Sequence, residues 1–138
     1  MKNWVCKIYS SSSGNGFFTK ITYKNNFIKA LITNNHILGE EEIKNNKIIT
    51  YIINNNEDDR KRIKIDDKRK RYTNKELDVT IIKINEEEDD IHNYIEIDNN
   101  INNDMNLNKE EIIKKYKNIY KNDSIYILNY MNGENLLV

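Results

Sequence analysis

The stretch Ala30-Leu31-Ile32-Thr33-Asn34-Asn35-His36-Ile37-Leu38 decides how the rest of the chain is read. Its first four residues are apolar or β-branched, as a buried strand requires, and it then turns polar and presents a histidine at the strand end. About forty residues on, Asp78-Val79-Thr80-Ile81-Ile82-Lys83-Ile84 has the mirrored form, an aspartate opening a strongly apolar strand. A histidine ending one strand and an aspartate starting another form a titratable pair on rigid supports.

Working outward, strand signals are short and frequent. Trp4 to Tyr9 alternates weakly, and Ser10-Ser11-Ser12-Ser13-Gly14-Asn15-Gly16 reads as a flexible turn feeding Phe17 to Tyr23. Lys24-Asn25-Asn26 is a tight hairpin turn into Phe27 to Thr33. Further strands are expected over Lys47 to Ile53, Arg62 to Asp66, Lys70 to Thr73, Asp78 to Ile84 and, after an acidic loop over Glu86 to Asp90, Tyr94 to Ile97. Close spacing without intervening helices predicts an all-β antiparallel barrel or sandwich. The composition changes after residue 100: Asn99 to Asn108 is a polar linker, and Lys109 to Tyr116 has helical spacing. Ser124 to Tyr130 is again a strand, followed by the hairpin signal Asn132-Gly133. The expected organisation is a barrel over residues 1–100, a linker with a short helix over 101–123, and the start of a second unit over 124–138.

Bulk properties narrow the class. A chain of 138 residues suits one ordinary domain. The mean hydropathy of -0.84 is low, but the apolar residues lie in compact runs that can build a core. Asn, Ile and Lys make up roughly half the chain, a bias carrying little functional meaning. Cationic and acidic residues both number 22, which gives no general attraction to nucleic acid or to an anionic membrane. The single cysteine, Cys6, forms no intrachain disulfide and is expected as a small core residue. With no apolar signal segment and no membrane-length apolar run, a cytoplasmic protein is expected.

Three segments resemble a known family. Gly14-Asn15-Gly16-Phe17-Phe18 resembles the G-x-G-F strand entry of trypsin-like serine peptidases. Ala30 to His36 resembles their strand ending in T-x-x-H, and Asp78 to Ile84 their D-[IVL]-[AT]-[LIV]-[LIV]-[KR]-[LIV] strand. The resemblance implies the antiparallel Greek-key β-barrel that forms the first half of the chymotrypsin-like fold, followed by the first strand of an incomplete second barrel. It implies proteolysis as the family activity, with His36 as general base and Asp78 as the carboxylate that orients it. A serine hydroxyl needs such help, because it is a poor nucleophile until a neutral imidazole takes its proton. The imidazole in turn needs a buried carboxylate on its other nitrogen.

The nucleophile itself is missing from the pattern. After Asp78 the only serine is Ser124, followed by Ile125 and Tyr126 where an oxyanion turn needs glycine. Ser124 is expected to start a strand, Ser10 to Ser13 precede the histidine, and the family's second-barrel serine, oxyanion hole and specificity pocket are not present. The chain alone is therefore expected not to cleave peptides. Two alternatives stay open: a non-catalytic, protein-binding pseudoprotease module, or a truncated gene product.

Other features are weaker. His92, beside Asp89 and Asp90, has too few companions for a metal site and is expected in a solvated loop. The basic run from Arg60 to Arg71 is split by Asp66-Asp67 and reads as a solvated strand pair. There is no P-loop, dinucleotide fingerprint or Cys/His metal spacing, so neither cofactor nor metal is expected. The expected partner is a polypeptide, as substrate or binding protein.

Overall fold

The computed structural model describes residues 4–23, 26–54 and 56–97, together with 108, 110–111, 113–114, 129–130 and 136–137. Its strands are β1 (Val5–Tyr9), β2 (Ser13–Tyr23), β3 (Asn26–Thr33), β4 (Ile48–Ile53), β5 (Lys61–Lys64), β6 (Arg71–Asn74), β7 (Val79–Lys83) and β8 (Ile95–Glu96). Helix α1 (Glu40–Asn46) lies between β3 and β4, and α2 (Glu86–Asp89) between β7 and β8. The main sheet runs β5-β4-β1-β2-β3-β7-β6, antiparallel throughout, and β8 adds to β2 in parallel. The fold is thus mostly antiparallel β, as the strand signals predict.

The two ends of that path, β5 and β6, are consecutive in the chain and joined by residues 65–70. Backbone bonds run into the joint from both sides. Ile65 N–H donates to the Lys47 carbonyl at 2.7 Å, and Lys83 N–H to that of Lys70 at 2.9 Å. The sheet therefore curls, as a half-barrel, around one core. Every strand of the path except β6 points into it: Cys6 and Ile8, Phe18, Leu31, Ile49 and Tyr51, Ile63, and Ile82. Phe18 meets Tyr51 edge-on, with ring centroids 5.4 Å apart, the arrangement their quadrupoles favour. Cys6 is fully buried there, and burial pushes its thiol up.

Three local expectations are corrected. Ser13 to Gly16 are not turn but the start of β2, paired with β1 from Tyr9 opposite Ser13 to Cys6 opposite Gly16. The glycines make room for packing: a Cβ on Gly16 would sit 2.6 Å from Ile8 Cδ1, and one on Gly14 2.5 Å from the Ile37 side chain. Helices do intervene between strands. In α1 only Ile43 is buried, and three glutamates occupy the first turn, where the helix dipole favours negative charge. The acidic loop is partly the helix α2.

The Arg69 side chain of the basic run is not solvated. It is 9% exposed and Asp89 3%, and the two form a bidentate pair at 2.6 and 3.0 Å. Arg69 also donates to the Lys83 carbonyl at 3.0 Å, and Asp89 accepts the Asn85 N–H at 2.8 Å. This pair fastens the β5–β6 joint to the end of β7.

Ser124 and most of the expected linker and second unit lie outside the described residues. Where the chain is described, residues 110, 111, 113 and 114 are helical. Asn108 caps this helix: its side chain accepts the Glu110 and Glu111 N–H groups, while the Glu111 carboxylate accepts its N–H. Strands β9 (Asn129–Tyr130) and β10 (Leu136–Leu137) pair antiparallel. Among the described residues no helix is long and apolar enough to cross a membrane.

Replacing either partner of the buried ion pair strands a charge. Arg69→Ala or Asp89→Ala is expected to cost about 3–5 kcal/mol, while the joint replacement Arg69→Met/Asp89→Leu costs far less, as read from urea unfolding.

Candidate functional site

β3 and β7 are antiparallel neighbours, with Leu31 opposite Ile82 and Thr33 opposite Thr80. This register places His36, three residues past Thr33, and Asp78, two before Thr80, at the same end of the strand pair. The histidine sits in a tight turn in which the Ile37 and Leu38 N–H groups donate to the Asn34 carbonyl at 3.2 and 3.1 Å. Ile37 and Leu38 are buried and hold the turn down, Ile37 against Gly14. Polar pins add to this: Thr33 Oγ1 donates to the Asn15 carbonyl, Ser10 Oγ to that of Ile37, and Thr80 Oγ1 to that of Leu38.

Asp78 closes a turn from Lys75, whose carbonyl accepts its N–H at 3.3 Å. Its φ of 48° is left-handed, a region aspartate tolerates better than most residues. Asn74 Oδ1 accepts the Leu77 N–H inside the same turn. The carboxylate is thereby directed at the histidine. Asp78 Oδ2 lies 2.6 Å from His36 Nδ1, and Asp78 Oδ1 accepts the His36 backbone N–H at 2.8 Å. Asn34 Nδ2 donates to Asp78 Oδ2 at 3.1 Å, a contact that sequence reasoning missed. The backbone N–H of His36, then its ring, and the Asn34 amide hold the Asp78 carboxyl below the ordinary aspartate value.

The structure thus brings together both predicted site residues. With Nδ1 bound to the carboxylate, Nε2 is the ring nitrogen open to other groups, since no described residue bonds it. The pair is more exposed than a buried orienting carboxylate would be: 65% for the His36 side chain and 42% for Asp78.

The other candidates differ. His92 Nε2 lies 2.9 Å from Asp90 Oδ1, and its Nδ1 is 3.6 Å from Glu86 Oε1, so both its nitrogens face carboxylates. Glu86 also pairs with Lys29, and Asp90 with Lys61 at 3.7 Å. Among the described residues no group of three or more His, Cys, Asp or Glu side chains is arranged to hold a metal ion. Half of the basic run is paired: Arg60 with Glu57, Lys61 with Asp90, Arg69 with Asp89 and Arg71 with Glu40.

No protein-family model, no curated protein and no solved structure matches this chain.

A carboxylate whose native value is depressed stabilises the fold above its unfolded value and loses that contribution as pH falls through the native one. Wild type is therefore expected to exceed Asp78→Asn in urea midpoint from neutral pH down to about pH 5, with the gap closing on further acidification.

Proposed function

We propose that this chain carries the base and orienting carboxylate of a serine-type peptidase of the trypsin-like family, on a barrel equivalent to that family's first. The single observation that carries the proposal is the His36 Nδ1–Asp78 Oδ2 contact of 2.6 Å, made by residues at the ends of two paired strands. Strand order supports it. The succession β4-β1-β2-β3 has the 4-1-2-3 order of a Greek key, and β7 and β6 extend it. The G-x-G segment enters β2 beside the turn that bears the histidine, since Gly14 packs under Ile37.

In this role Asp78 fixes the imidazole with its proton on Nδ1 and stabilises the imidazolium, while Nε2 takes the proton of an attacking hydroxyl. The 138 residues offer no such hydroxyl in a glycine turn; Ser124 precedes Ile125 and Tyr126. The chain by itself is a half-site, competent in proton transfer and unable to form an acyl-enzyme. The single buried cysteine fits a reducing compartment.

One observation favours a second reading, a protein-binding module without catalysis. The Asp78 side chain is 42% exposed, whereas the orienting aspartate of a working triad is buried. A polypeptide surface seated over the pair would bury it.

Activity toward two substrates tests the half-site. The purified chain is expected to leave fluorogenic peptides uncut, yet to speed p-nitrophenyl acetate hydrolysis through the free Nε2. His36→Ala is expected to lower the ester rate by at least about tenfold, with His92→Ala leaving it unchanged. Peptide cleavage that disappears in His36→Ala would overturn the half-site, and an ester rate indifferent to His36→Ala would remove His36 as an available base.

A further inference from the structure

A groove of about 280 Å³ lies on the outer face of β3, β7 and β6, toward the end of the strands away from His36. Ile28, Ala30 and Ile81 form its floor and Tyr72 a wall, with Tyr72 50% and Ile28 37% exposed. Its charged lining is Lys70, Arg71 and Lys83, with no carboxylate, in a chain whose acidic and basic residues are equal in number. Glu40 neutralises Arg71 at 3.3 Å. Among the described residues Lys70 and Lys83 form no ion pair, and they also line an adjoining pocket with Asp66, Glu86 and Glu88.

Two further facts bear on what fits here. Arg71 pairs with Ile82, so Lys70 stands directly opposite Lys83, and the Lys83 N–H to Lys70 carbonyl bond confirms it. Like charges directly opposed across an antiparallel ladder repel, a cost that a bound anion would relieve. Second, β6 ends the sheet and pairs only with β7 among the described residues. In an antiparallel ladder hydrogen-bonded and non-hydrogen-bonded pairs alternate. Since Lys70–Lys83 is a bonded pair, Arg71 and Thr73 turn their N–H and C=O groups toward the open edge.

We propose that β6 and this groove receive an extended acidic polypeptide segment, added as a further strand to the sheet. Main-chain bonds to Arg71 and Thr73 would supply the register. Side chains on one face of the added strand lie two residues apart, so an apolar residue beside Tyr72 places its neighbour on that face beside Lys70 and Lys83. The partner therefore carries an apolar and an acidic residue at positions i and i+2. The proposal does not depend on the His36–Asp78 reading, because neither residue lines the groove.

The probe is a capped, fluorescein-labelled octapeptide of two Thr-Val-Thr-Glu repeats, followed by anisotropy with the full chain. Binding is expected to weaken at least tenfold in Lys70→Glu/Lys83→Glu, whose exposed positions leave the core untouched. A Thr-Val-Thr-Lys peptide is expected to bind that variant and not wild type, and the first peptide to slow hydrogen exchange at the Arg71 and Thr73 amides. Equal binding of both peptides to wild type would overturn the proposal, as would undiminished binding of a peptide N-methylated at alternate residues. Full displacement by decanoate would assign the groove to an anionic amphiphile, and a dimer closing through β6 would assign it to a second copy; either result contradicts strand addition.

Discussion

The antiparallel register of β3 on β7 is the constraint on which the rest of the structure depends. Leu31 opposite Ile82 places two fully buried side chains in the centre of the core. A slip of one residue would turn one of the two outward and bring Ile32 or Ile81 in to replace it, so burial strongly specifies the alignment. The same alignment sets His36 against Asp78. Neither residue contributes to the core, and their meeting follows from apolar packing several residues away. The turns then do fine positioning: Ile37 and Leu38 pin one, and the left-handed Asp78 ends the other.

The polar contacts around Asp78 divide its two oxygens by task. Oδ1 takes the His36 backbone N–H, which ties the carboxylate to the main chain of the histidine turn. Oδ2 takes the ring, with Asn34 Nδ2 beside it. Such a carboxylate stays ionised and keeps one ring nitrogen occupied, which is what a directional base requires. What the arrangement lacks is a dry environment. Water competes for every bond in an exposed pair, so its electrostatic effect is a fraction of that in a closed site. Under the proposed reading, such a pair would gain effect as a base only when another surface covers it.

Much of this was legible in the sequence, for a physical reason. β3 and β7 each carry a compact apolar run, Ala30 to Ile32 and Ile81 to Ile82, near a polar end, and buried strands of that composition read clearly. The histidine and aspartate were visible as the polar ends of those runs. The glycines of Gly14-Asn15-Gly16 were visible as a motif, but their purpose was not: they lie in a paired strand and admit Ile37 and Ile8. Helix α1 was hidden because seven largely charged residues with one buried isoleucine have no periodicity to detect. Arg69 looked solvated because its partner, Asp89, is twenty residues away and belongs to an acidic cluster that also looked solvated. Asn34 gave no signal beyond its place between Thr33 and His36. The exposure of Asp78 depends on what packs over it, which strand patterns do not encode.

The Asp78 contact assigns the His36 ring proton to Nδ1, and no described residue bonds Nε2. Long-range ¹H–¹⁵N correlation on the neutral ring reads this directly. His36 in wild type is expected to be protonated at Nδ1, and Asp78→Asn to shift the balance toward Nε2–H. A wild-type ring protonated mainly at Nε2, or a tautomer ratio indifferent to Asp78→Asn, would contradict this assignment.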